Sequence, residues 1–86
     1  MSKRPSLSRL VLDVLKPHIP DLIEFCRSLS EVEGVKKVSA VVVEVDAETD
    51  TVKITVEGMD IDFEALKERV RELGGAIHSV DEVVFE

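Results

Sequence analysis

The sequence contains no tryptophan or tyrosine, three phenylalanines and one cysteine, and none of its apolar runs is long enough to cross a membrane. Each shortage excludes something. A single cysteine, Cys26, cannot form an internal disulfide, which rules out a small domain stapled for the extracellular environment. Nor does it supply the Cys-x-x-Cys pair that soft-metal carriers use. A helical span needs about 18 consecutive apolar residues. The N-terminus, Met1-Ser2-Lys3-Arg4-Pro5-Ser6, leads straight into patterned sequence without a signal-peptide core. A cytoplasmic protein without membrane partners is the expectation.

Basic residues are also scarce: 11 Lys and Arg stand against 18 Asp and Glu, a formal charge of −7 over 86 residues. Residues 1–43 carry 5 acids and 7 bases, whereas residues 44–86 carry 13 acids and 4 bases. Association with phosphates requires many cations to replace condensed counterions, so no nucleic-acid partner is expected. The basic head, Lys3, Arg4 and Arg9, is too short to alter this. Residues 1–7 read as a flexible, solvated tail on a single domain that takes in residues 1–86.

What the chain does have is strongly patterned. Ser8 to Leu15, rich in branched residues and followed by Lys16-Pro17-His18-Ile19-Pro20, predicts a central strand with Leu10, Leu12 and Val14 on one face. Pro20 fits the first turn of a helix and Asp21 suits its positive end; Leu22, Phe25, Cys26 and Leu29 form the apolar stripe, and Gly34 is the stop. Val35–Val45 and Val52–Glu57 predict two antiparallel strands, with Asp46–Thr51 as the hairpin loop. Asp62 is a plausible N-cap for a second helix bearing Phe63, Leu66, Val70 and Leu73. Gly74-Gly75 ends that helix, and a fourth strand runs from Ala76 to Val80, with Val83-Val84-Phe85 beyond the acidic pair Asp81-Glu82.

Strand, helix, strand, strand, helix, strand is the ferredoxin-like α+β arrangement, βαββαβ: a four-stranded antiparallel sheet with both helices on one face. Crossover handedness places the first strand beside the third, with the second and fourth at the edges. The uncovered face is expected to carry Val11, Asp13, Leu15, Ala40, Val42, Glu44, Lys53, Thr55 and Glu57, or Val41, Val43 and Val45 if the second strand takes the opposite register. Either choice leaves apolar surface that one small subunit cannot hide. Self-association into a homo-oligomer is therefore expected, and the charge asymmetry suggests a heterologous contact that closes into a ring.

Two phrases, Arg9-Leu10-Val11-Leu12-Asp13-Val14-Leu15-Lys16-Pro17-His18 and Leu73-Gly74-Gly75-Ala76-Ile77-His78-Ser79-Val80-Asp81-Glu82-Val83, resemble those of an archaeal family of small uncharacterised proteins, domain of unknown function 211. The likeness extends from about Leu7 to Val84 and takes in Glu31-Val32-Glu33-Gly34-Val35 and Lys53-Ile54-Thr55-Val56-Glu57-Gly58. It implies an archaeal source, the same fold and ring-like homo-oligomers, and it implies no activity.

Catalysis is not expected. Cys26 sits on a predicted core stripe, and His78 and Ser79, adjacent on a strand, point to opposite faces. The phenylalanines lie on helix stripes and at the C-terminus, leaving the sheet without the aromatic platforms of an RNA reader. Lys16-Pro17-His18-Ile19-Pro20 lacks arginine, and its two prolines lack the N–H groups a phosphate cradle requires. Two binding readings stay open. A small-ligand regulatory module resembling amino-acid-binding domains would place a site near Asp13, His18, Gly74 and Gly75 at a subunit boundary. Alternatively, Asp46, Glu48 and Asp50 on the hairpin, as hard oxygen donors in a bend, would hold Ca²⁺ or Mg²⁺ weakly, although Thr51 replaces the glycine of a full calcium loop. Solvated carboxylates are the plainer account. The primary reading is a non-enzymatic subunit of a cytosolic homo-oligomer, without a cofactor.

Overall fold

In the computed structural model, which describes residues 4–86, the chain runs β1 (Leu7–Pro17), α1 (Leu22–Leu29), β2 (Val35–Val45), β3 (Thr49–Gly58), α2 (Phe63–Glu72) and β4 (Ala76–Phe85). The strands form one antiparallel sheet in the order β2-β3-β1-β4. This is the ferredoxin-like fold. Alternation along β1 and β3 sends Leu10, Leu12, Val14, Val52, Ile54 and Val56 to the helix side, where they enclose Phe25 and Leu29 of α1 and Leu66 and Val70 of α2. Arg69 ties the helices together by donating to the Ser28 carbonyl oxygen (2.6 Å) and hydroxyl (3.0 Å).

Both helices are capped by aspartate. Asp21 accepts from the Glu24 N–H at 2.9 Å and Asp62 from the Ala65 N–H at 3.0 Å. Asp62→Ala should therefore cost about 1 kcal/mol in chemical denaturation, with Asp62→Asn close to wild type.

Several boundaries differ from the sequence expectation. Asp21 is the N-cap, so α1 begins after Pro20 rather than at it. The helix stops at Leu29, and Gly34 serves a different purpose: with φ of +88°, it lets the start of β2 pass against the Met59–Ile61 loop, whose Asp60 oxygen would lie 2.5 Å from a Cβ at this position. β3 begins at Thr49, which shortens the hairpin connection to residues 46–48, closed by Asp46 N–H donating to the Thr49 carbonyl at 2.8 Å. β4 continues through Asp81-Glu82. As an edge strand it absorbs the acidic pair by bulging at His78 and Asp81.

The expected tail at residues 1–7 does not extend over Ser6 and Leu7. Residues 1–3 lie outside the described residues, but Leu7 is packed in the core and Ser6 exchanges backbone hydrogen bonds with Glu86. Arg9 sits within β1.

The second strand takes the alternative register. Ser39 pairs with Thr55 and Val41 with Lys53, placing Val41 on the open face, while Val38, Ala40 and Val42 oppose Val56, Ile54 and Val52 on the helix side. A bulge at Val43 then reverses the alternation. Glu44 lands opposite Thr51 on the open face, and Val45 opposite Asp50 on the helix side. Strand-to-strand register and the bulge, neither visible in the alternation of β2 itself, decide these positions.

Candidate functional site

Length mismatch creates the exposed features. A strand of 11 residues, such as β1, spans about 36 Å, whereas α1, with 8 residues, spans about 12 Å and α2, with 10, about 15 Å. The helices cannot cover the sheet from end to end. The hairpin end of β2 and the C-terminal half of β4 project beyond them.

On the open face, the centre is not greasy. Arg9 pairs with Glu57 and, at 3.4 Å, with Glu82; Lys53 reaches Asp81 at 3.2 Å and Asp13 at 3.7 Å. Ser79 Oγ lies 2.8 Å from Asp81 and 3.3 Å from Asp13. These pairs cover Val11, leaving it 9% exposed. The Ser79 hydroxyl and Lys53 hold the Asp81 carboxyl below its usual range, and Asp81 with Asp13 pushes the Lys53 ammonium up. A hydroxyl donating to ionised carboxylates beside a firmly protonated lysine is no activated nucleophile.

The apolar surplus lies instead on β2. Val41 is 66%, Val43 61% and Val45 67% exposed, along a strand whose outer backbone edge is unpaired among the described residues. On the opposite sheet edge, Val80, Val83 and Phe85 of β4 flank an apolar hollow of about 190 Å³ floored by Leu7, Leu10 and Phe63. Exposed β-branched residues at a sheet edge are what pairing surfaces are made of.

The candidate ligand residues do not meet. Asp13 is on the open face with Lys53 and Ser79. His18 follows the far end of β1, its Nδ1 3.0 Å from Asp50 Oδ1 and its Nε2 3.0 Å from the Ala47 oxygen. Asp50 lies on the helix side of β3, opposite Lys16. Gly74 and Gly75 pack near the end of β1: a Cβ on Gly74 would meet the Pro17 ring at 3.3 Å, and one on Gly75 the Leu15 oxygen at 3.0 Å. Gly75 instead lines a groove of about 300 Å³ between α2 and β4, walled by Glu64, Lys67, Glu68, Arg71 and Ile77.

The hairpin carboxylates are separated by function. Asp50 is bound by Lys16 Nζ at 3.4 Å and by His18, while Asp46 and Glu48 point to solvent. Among the described residues, no three His, Cys, Asp or Glu side chains converge as a metal-holding group.

Lys16 was not singled out from the sequence, yet it is 1% exposed. Its ammonium donates to the Pro17 carbonyl at 2.8 Å, pairs with Asp50 and lies 5.8 Å from the Phe25 ring centroid. The available signal was parity with Leu10, Leu12 and Val14. Cys26 is partly buried, which raises its thiol pKa and makes it a poor nucleophile. No helix among the described residues is long and apolar enough to cross a membrane.

Comparison with known proteins places the chain in a family. The family described as Uncharacterized ArCR, a domain of unknown function (DUF211), matches residues 8–86. An uncharacterized protein of Methanocaldococcus jannaschii is 44% identical over 78 residues, covering 91% of this chain and 80% of that protein. With both the match and the strand order in hand, the chain belongs to the archaeal DUF211 family.

Proposed function

We propose that this chain is a non-enzymatic, cytoplasmic subunit of a homo-oligomer in which the β2 edge of one copy meets the β4 edge of the next. The supporting observation is the row of exposed valines, Val41, Val43 and Val45, on an edge strand. Because β2 and β4 are opposite edges of one sheet, their contact is heterologous and propagates from copy to copy, closing into a ring when the rotation allows. The free, partly buried thiol suits a reducing compartment. The chemistry of the open face, where Arg9 and Lys53 are spent on Glu57, Glu82, Asp13 and Asp81, supports a structural rather than a catalytic role.

Light scattering tests this directly, since a monomer has a mass of 9.5 kDa. The wild-type protein should scatter as a multiple of that mass at two concentrations. Burying a valine contributes about 1.5 kcal/mol, so Val41→Asp with Val43→Asp should weaken association by at least about a hundredfold. Both side chains are exposed in the single copy, so circular dichroism should remain native. A wild-type particle of monomer mass at both concentrations would end the proposal.

A second reading rests on the α2–β4 groove, whose volume of about 300 Å³ is at the small end for a ligand pocket. A small-ligand module would use this groove and Gly75, rather than Asp13 or His18. Thermal-shift screening with amino acids and nucleotides separates the two, because a ligand of the folded state raises Tm.

A further inference from the structure

The end of β1 and the β2–β3 hairpin tip are joined by side chains that the assembly reading does not use. His18 presents Nδ1 to Asp50 Oδ1 and Nε2 to the Ala47 carbonyl oxygen, each at 3.0 Å. An ionised carboxylate and a carbonyl have no proton to give. A neutral imidazole has one N–H and so satisfies one of them, turning its other lone pair against an oxygen lone pair. Only the imidazolium donates to both.

We propose that His18 is a protonation-controlled latch, which as an imidazolium fastens the tip, residues 46–48, to the end of β1 and on losing its proton releases the tip while the strands stay paired. The strands stay paired because Lys16 holds the other Asp50 oxygen at 3.4 Å and β1 pairs with β3 as far as Pro17 and Thr49. The charged groups around the ring oppose each other. Asp50 favours the proton and the Lys16 ammonium disfavours it; Asp46 and Glu48, flanking Ala47 on the tip, add negative charge. The balance favours the proton: the Ala47 carbonyl, followed after the opposing effect of desolvation by Asp50, raises the imidazole above its ordinary 6.5. A histidine raised in the folded state contributes its stabilisation fully below the unfolded pKa, and loses it as pH rises through the folded value. The tip is therefore fastened below the folded pKa of His18, which lies above 6.5, and loosened as pH rises through it.

Nitrogen-detected NMR of the 15N-labelled full chain between pH 5 and 9 reads both halves of this device. The His18 ring should keep the imidazolium signature past pH 6.5, and Asp50→Asn should lower its midpoint. Exchange of the Asp46 amide, which bonds the Thr49 carbonyl at 2.8 Å, should quicken about fivefold across the midpoint beyond the intrinsic pH effect, the scale of one net hydrogen bond. Amides of the β1–β3 ladder should not follow it. His18→Phe, which leaves the Lys16–Asp50 pair in place, should abolish the step and leave Asp46 fast at every pH. A midpoint at or below 6.5, or Asp46 protection in His18→Phe equal to that of the acidic wild type, overturns the latch. Neither readout depends on self-association.

Discussion

Phe25→Ala is expected to remove about 3–5 kcal/mol of stability. A chain of this length has about 4–13 kcal/mol in total, so the variant should lose a large share of its stability and unfold at a much lower urea concentration than wild type. Phe25 is fully buried, and its ring fills the space between α1, the end of β1 and the Gly75 turn: a Cβ on Gly75 would already lie 3.2 Å from its Cζ. The same ring faces the Lys16 ammonium at 5.8 Å, so truncation leaves a buried cation with fewer partners as well as a cavity. Urea unfolding followed by circular dichroism measures the loss. Phe25→Leu, which retains most of the volume, should cost about 1.5 kcal/mol. If alanine cost under 1 kcal/mol, the ring would not be filling the core.

Gly58→Ala should be comparably severe, for a different reason. A Cβ on Gly58 would overlap the Gly34 carbonyl oxygen and lie 3.0 Å from the Lys36 nitrogen, and both of these are backbone atoms. The Gly34 carbonyl is also held by Met59 N–H at 2.8 Å, so the β2–β3 pair must open where Val35 meets Gly58. A cost of about 3 kcal/mol lowers Tm by roughly 15 °C for a domain of this size. Gly74→Ala makes the contrast. Gly74 also has positive φ, +86°, but a Cβ there meets only the Pro17 ring, nearest at 3.3 Å. Only the left-handed backbone penalty applies, about 1 kcal/mol. Scanning calorimetry of the two variants should rank them in that order; equal losses would show that crowding at the Gly34–Gly58 crossing has relaxed.

Much of the open face followed from alternation. Val11, Asp13, Lys53, Thr55 and Glu57 occupy it as their spacing predicts, since β1 and β3 pair from Arg9–Glu57 to Pro17–Thr49 without interruption. The edge strands were harder. A bulge shifts every residue beyond it to the other face, and bulges occur at Lys36 and Val43 of β2 and at His78 and Asp81 of β4. Nothing in a valine-rich run marks which valine is the extra one. The candidate ligand set failed on similar grounds: Asp13 and His18 are five residues apart in the sequence, but their partners lie on opposite sides of the sheet.

Local order in the chain settled the elements, their succession and the inward row of β1, because side-chain direction repeats every second residue in a strand and about every 3.6 in a helix. The sequence pattern ends that strand at Leu15, and only the structure extends it through Lys16, in line with Leu10, Leu12 and Val14. Only the folded structure decided that Lys16 would be tolerable there, with Asp50, Pro17 and Phe25 around its ammonium. It likewise decided that charges would cover Val11 while Val41, Val43 and Val45 stayed open to solvent. Burial and charge pairing depend on which strands become neighbours and where they slip, and those contacts join residues tens of positions apart.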